Sequence, residues 1–221
     1  MHEENTIMHE VEAIMHEENT IMHEVEAIMH EENTIIHEDS LPDFSKNEML
    51  TGKKIHLRAL QLSDADILYK WENDKSIWKV SNTLHPFSKK EIKDFISKQK
   101  DIYLDKQLRL MICLSPIQKR KGRNGEREKR RSVGCIDLFN FDKRNLKAGI
   151  GILIDKKHRK KGYASEALSL LIVYSFEILN LQTLFCNVSA YNEASMKVFR
   201  KLNFKVIAVK KNLYSLELVN K

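Results

Sequence analysis

The stretch AGIGILIDKKHRKKGYASEALSLLIVYSF, residues 148–176, leaves this chain few folds to choose from. It opens on an apolar run, Ala148–Ile154, that reads as a buried strand. A basic loop follows, and then a long apolar helix over Ser165–Asn180, with Ala167, Leu168, Leu171, Ile172, Ser175 and Leu179 at helical spacing. Leu184–Val188 is the next strand. Strand, helix and strand in that order make one parallel crossover. The other strands, at Ile55–Ala59, Leu108–Leu114, Val133–Phe139, Val206–Lys210 and Tyr214–Leu218, have fewer helices between them. Helices are expected from Ser63–Asp64 to about Asn73, over Lys89–Asp101 behind Ser88, and over Asn192–Leu202 behind an Asn suited to the N-cap. The expected fold class is α+β, a mixed and largely antiparallel sheet flanked by helices.

The loop after Ile154 carries chemistry. Arg159, Lys160 and Lys161 supply positive charge. Gly162 and Ala164 are small enough to let a ligand approach the backbone. The loop runs into a helix N-terminus, whose free N–H groups and dipole favour an anion. The phosphate-binding loop of nucleotide hydrolases needs a second glycine and Gly-Lys-Ser/Thr, and the dinucleotide fingerprint needs Gly-x-Gly-x-x-Gly; neither is present. The competing reading is a glycine that only turns strand into helix.

Charge is divided along the chain. Residues 1–39 hold 12 acids and no Lys or Arg, so the remaining 182 residues carry 19 acids against all 37 bases. The acidic part is a repeat: residues 1–14, MHEENTIMHEVEAI, recur unchanged at 15–28, and His and Ile each return every seven residues. Every second partner of the Ile row is a Glu, and no Lys relieves the repulsion, so a stable coiled coil is poorly specified. Low-complexity extension, self-associating helix and His/Glu metal face are the three readings, in falling order. Residues 1–48 are taken as extension and linker, and 49–221 as one domain, with a basic insertion at 118–131 holding eight bases and two acids. That insertion has no interleaved aromatic, so a nucleic-acid partner is the less favoured reading of its charge. No apolar run reaches the roughly 18 residues of a membrane span, the acidic start lacks a signal peptide's positive region, and the three cysteines have no metal-ligand spacing. A cytoplasmic protein with reduced thiols, no metal and no membrane contact is expected; a homo-oligomer is compatible with the repeat.

Taken together, Arg159-x-x-Gly162-x-Ala164 between strand and helix, then Asn192-Glu193-Ala194-Ser195 opening a helix that ends Lys201-Leu202-Asn203-Phe204, resemble the GNAT superfamily of N-acetyltransferases. The opening IHLRALQLSDADILYKWEND, residues 55–74, is similar to the branch of spermidine/diamine acetyltransferases and of enzymes that acetylate ribosomal-protein N-termini. The resemblance spans roughly Lys53 to Phe204. It implies acetyl-CoA as donor and a small-molecule primary amine as acceptor, a polyamine or diamine such as spermidine first and a protein N-terminus second. A catalytically weak CoA-binding module that holds RNA or ribosomes is the rival from another class.

The resemblance also implies roles. The backbone of Arg159, Lys160, Lys161, Gly162, Tyr163, Ala164 and Ser165 would hold the CoA pyrophosphate. Ile152, Leu153 and Ile154 would pair with the pantetheine arm where their strand splays from Leu184–Val188. An N–H near Leu153 would polarise the thioester carbonyl. Asn187 and Asn192 would touch the pantetheine, and Phe199 on the last helix would flank the thiol. Phe199 stands where the family often has Tyr, which leaves Tyr191 or Tyr163 as acid, or a thiolate that departs unprotonated. Glu72 or Asp74 is the candidate for the acceptor's base, and Asp137 faces either pocket or solvent. Asn203 replaces a customary Gly, and only seventeen residues follow Phe204.

Overall fold

The computed structural model describes residues 50–76, 78, 85–99, 102–115 and 132–220. The repeat and linker at 1–48 and the insertion at 118–131 lie outside the described residues. Seven strands form one sheet: β1 (Ile55–Ala59), β2 (Gln107–Leu114), β3 (Ser132–Asp142), β4 (Lys147–Ile154), β5 (Thr183–Ser189), β6 (Lys205–Lys210) and β7 (Leu213–Val219), in the order β1-β2-β3-β4-β5-β7-β6. Only β4 and β5 pair in parallel. The helices are α1 (Ala65–Glu72), α2 (Lys89–Lys98), α3 (Ile102–Asp105), α4 (Tyr163–Glu177) and α5 (Glu193–Lys201). The α+β class with one crossover is thus the observed one.

Side chains alternate across the strands and build two cores. Leu110, Ile112, Ile136, Leu138, Ile150 and Leu184 point to the face that α4 covers with Ala167, Leu168 and Leu171. Met111, Cys113, Cys135 and Leu153 point to the opposite face, under Ala65, Leu68 and Trp71 of α1 and Ile92 and Ile96 of α2. Burial of this order, about 25 cal/mol per Å² of apolar surface, is what holds helices of eight to fifteen residues in place.

Several boundaries differ from expectation, each for a visible reason. Asp64 does not cap α1: its carboxylate is bound by both Arg58 Nη atoms at 2.7 Å and by the Gln61 N–H at 2.8 Å, which fastens α1 to β1. Ser88 does cap α2, with Glu91 answering in a reciprocal box. That helix stops at Lys98, and Gln99 turns away to bind the Arg109 backbone through both ends of its amide, at 2.7 and 2.9 Å. Helix α4 begins two residues earlier than the apolar spacing indicates, because Gly162 in the left-handed region (φ 84°) starts it. Asn203 takes the same conformation (φ 66°) after α5, as its place in a customary glycine position implied.

Candidate active site

The site follows from how β4 and β5 separate. They pair only at Lys147–Thr183, Ala148–Leu184 and Gly149–Phe185. Beyond that point β4 stays on β3 as far as Ile154, while β5 stays on β7 as far as Ser189. Each strand keeps its outer partner and loses its inner one, so a wedge opens between them.

Backbone direction in the wedge can be read from three bonds. The Thr183 N–H donates to the Leu146 carbonyl at 3.2 Å, and the Asp155 N–H donates to the Val133 carbonyl at 2.9 Å. The two backbone groups of one residue share a side, and sides alternate along a strand. Even-numbered residues of β4 therefore face β5, and odd-numbered ones face β3. In the same way the Asn220 N–H to Gln182 carbonyl bond sends the even residues of β5 to β7 and leaves Asn187 facing the wedge. This corrects the placement of the expected carbonyl-polarising donor: the Leu153 N–H points at Cys135 on β3, its register partner. The N–H groups in the wedge are those of Ile152 and Ile154. The Ile152 carbonyl also faces it, whereas the Ile154 carbonyl is taken by Arg159 Nε at 3.0 Å.

The wedge leads into the basic loop. Arg159, Lys160 and Lys161 are exposed, Lys160 and Gly162 both have positive φ (60° and 84°), and α4 starts at Tyr163. The first bond of that helix runs from Glu166 N to Gly162 O, leaving the N–H groups of Tyr163, Ala164 and Ser165 at its open end. A side chain at Gly162 would be strained by the backbone and would meet Lys54 Nζ at 3.6 Å. Lys54, which the sequence reading did not single out, donates from Nζ to the Lys161 carbonyl at 3.5 Å and from its backbone N–H to Glu166 at 2.7 Å. Nothing in its own neighbourhood in sequence announces this contact across 107 residues.

Other expected residues are held elsewhere. Phe199 is 4% exposed and stacks edge-on against Phe204, with centroids 5.0 Å apart, in the core with Met196 and Leu216. Its ring is part of the core. Tyr191 is exposed just past the end of β5, and its hydroxyl accepts from Asn212 Nδ2 at 3.0 Å in the β6–β7 turn. Asn192 caps α5 by accepting from the Ser195 N–H. Asn187 accepts from Ser215 Oγ at 2.8 Å. Among the described residues His85 meets the Pro86 carbonyl and the Phe87 ring, and its charge acts on Glu91.

Acid groups gather on the sheet face shared with α1. Glu72 does not stand free as a base: its Oε1 accepts from Arg109 Nη1 at 2.6 Å. Arg109 Nε and Nη2 grip both Asp137 oxygens, at 2.5 and 3.1 Å. Burial works against charge on Arg109, but Asp137 foremost among its neighbours outweighs that and raises its pKa. Asp74 instead pairs with Lys156 at 2.9 Å, which with Ser76 holds its carboxyl well below the usual range. Trp71 Nε1 donates to Asp155 at 2.9 Å. These two links tie the end of α1 to the segment between wedge and basic loop. Burial pushes the Cys186 thiol up to about 12 and Cys135 higher still, so neither is a ready nucleophile. Among the described residues no cluster of His, Cys, Asp and Glu is placed to hold a metal, and no helix is long and apolar enough to cross a membrane.

Comparison with known proteins agrees with this geometry. Residues 54–205 match the family model described as an acetyltransferase (GNAT) domain. An uncharacterized N-acetyltransferase of Bacillus licheniformis is 29% identical over 159 residues, 72% of this chain and 83% of that protein. The spermidine N(1)-acetyltransferase of Escherichia coli K12 is 32% identical over 74 residues, 34% of this chain and 40% of that protein. Among solved structures, a Vibrio cholerae spermidine N-acetyltransferase in complex with CoA and spermine superposes with a TM-score of 0.61 at 19% identity, covering 75% of this chain and 95% of that one.

Proposed function

The chain belongs to the GNAT acetyltransferase family and is an N-acetyltransferase, and from that premise we propose that it moves the acetyl group of acetyl-CoA to a primary amine, with a polyamine or diamine such as spermidine as preferred acceptor. The observation that carries the reading is the wedge. Backbone donors and acceptors left unpaired in a half-buried place are costly. Here they are the Ile152 N–H and carbonyl and the Ile154 N–H, with the exposed Asn187 backbone across the wedge, in strand geometry that suits an arm bearing amides. At its far end the exposed Arg159–Lys161 charges and the open start of α4 suit a pyrophosphate. The residues present therefore fit acetyl-CoA.

When bound, acetyl-CoA supplies the activated acetyl group: the amine N–C bond forms as the C–S bond breaks and the thiol departs. With phosphates at the loop, the wedge edge of β4 would hold the amide-bearing arm. Ile152, the free donor nearest the vertex at Gly149 and Phe185, would hydrogen-bond the reacting carbonyl. A fixed backbone donor of this kind contributes on the order of 10²–10³ in rate. Positioning of donor and acceptor supplies much of the rest. Phe199 has no proton to give; the Tyr191 hydroxyl accepts from Asn212 and keeps its own proton, so Tyr191 and Tyr163 remain the candidate acids for the leaving thiol. A thiol of pKa about 8.5 can leave as the anion. The amine enters as a cation and gives one proton to solvent before attack; the second, released as the N–C bond forms, goes to the departing thiolate or to solvent.

Thiol release measured with spermidine, with an Ala-N-terminal peptide and with no acceptor tests this. Release stimulated by spermidine is the expected result. Stimulation by the peptide alone would move the acceptor to protein N-termini. No stimulation by either, together with salt-sensitive RNA binding, would sink the enzyme reading in favour of a binding module.

A further inference from the structure

We propose that the acceptor amine docks over Gly151, between Asp137 and Phe139, and that Arg109 is the positioning residue that aims the Asp137 carboxylate there. The proposal rests on the acetyl-transfer reading above and adds the place and the partner of the amine.

Three residues lie in line across three strands: Arg109 on β2 pairs with Asp137 on β3, and Asp137 pairs with Gly151 on β4. Their side-chain positions share one face of the sheet, the face that also carries Cys135 and Leu153 under α1 and α2. The two glycines of β4 on this face differ. A Cβ at Gly149 would collide with the Phe139 ring at 2.3 Å, so that ring already fills the space. Among the described residues, a Cβ at Gly151 would meet Phe139 at 3.6 Å and Asp137 Oδ2 at 3.9 Å. Among the described residues a space one small group wide therefore stands over Gly151, bordered by the Asp137 carboxylate and the Phe139 ring of β3. Gly151 immediately precedes Ile152, whose N–H enters the wedge. An amine held by Asp137 over Gly151 would thus lie one residue along β4 from the donor assigned to the carbonyl.

Arg109 touches neither reactant. Its fork takes both Asp137 oxygens and one of Glu72, while Phe95 stacks on the guanidinium at 5.2 Å and Gln99 fixes its backbone. The carboxylates have side-chain exposures of 13% and 17%, so neither is free to swing. Two carboxylates against one guanidinium leave a single net negative charge, complementary to one ammonium. The nearby bases Lys147 and Lys156 are occupied by Glu217 and Asp74.

Steady-state kinetics of Gly151→Ala, Asp137→Asn, Arg109→Lys and the Arg109→Lys/Asp137→Asn double variant test this, with spermidine, or the peptide if that is the acceptor taken. A methyl at 151 makes ordinary contacts, so that variant folds while filling the gap. Gly151→Ala and Asp137→Asn should each raise the amine KM about tenfold or more, with the acetyl-CoA KM unmoved. Arg109→Lys, which keeps the charge and loses the fork, should raise the amine KM alone. The double variant should be no worse than Asp137→Asn, since Arg109 acts through Asp137. An unchanged amine KM in Gly151→Ala and Asp137→Asn overturns the proposal while leaving acetyl transfer standing. Additive losses in the double variant overturn the role of Arg109. A wild-type protein that acetylates neither acceptor overturns both readings.

Discussion

At the scale of single residues, chemistry was legible where it depends on residue type and obscured where it depends on direction. Gly162 reads from sequence as small enough for close approach, and the structure gives it a φ of 84°, a conformation that favours glycine. The Leu153 N–H turns to β3 and the Ile152 N–H to the wedge, because strand parity is set by pairing partners and pairing is not written in the residue itself. Phe199 was recognised as standing where a Tyr is customary, but its enclosure against Phe204 depends on how α5 rolls onto the sheet. Asp137 could face either way from sequence; the register with Arg109 decided it. Asp155 carries a residue-scale prediction. Burial disfavours its charge, but the bonds from the Lys157 N–H and Trp71 Nε1 outweigh that and hold its pKa below the ordinary value. The unfolded chain then binds more protons in that window, so this contribution is fully present above about pH 4 and is lost as pH falls through the folded value. Thermal melts between pH 6 and pH 3 should show the wild type losing more stability than Asp155→Asn, with the two converging at the acid end. Parallel melts would contradict the role given to this tether.

At the scale of elements, the strands and main helices fall where the apolar patterning puts them, because each buries one face and the pattern records that face. The short helix Ile102–Asp105 has no such record: four residues with only Ile102 buried leave no periodicity to read. The wedge itself was expected from resemblance, and its cause is now visible in the pairing of β4 with β3 and of β5 with β7. Strand β4 therefore has two edges with different duties. A proline at Ile152 removes an N–H that faces the wedge and costs no ladder bond, whereas one at Leu153 removes a bond to β3. Circular dichroism and thiol release should find Ile152→Pro folded and at least about a hundredfold slower, by loss of one fixed donor, and Leu153→Pro destabilised. The reverse pattern would mean that the parity assigned to β4 is wrong.

For the whole molecule, the net charge of +6 describes no part of the chain, since residues 1–39 carry every one of 12 acids without a base. Within the described domain, positive charge has local duties: Arg58 and Arg109 are spent on internal carboxylates, and Arg159 to Lys161 line the loop at the end of the wedge. These parts meet in the proposal that the wedge between β4 and β5 holds the donor through the even-numbered amides of β4. Residue-resolved amide exchange with and without acetyl-CoA tests it most directly. Protection of the Ile152 and Ile154 amides on adding acetyl-CoA, with Leu153 already slow and unchanged, is the predicted result. Unaltered exchange at Ile152 and Ile154 in the presence of saturating acetyl-CoA would contradict it.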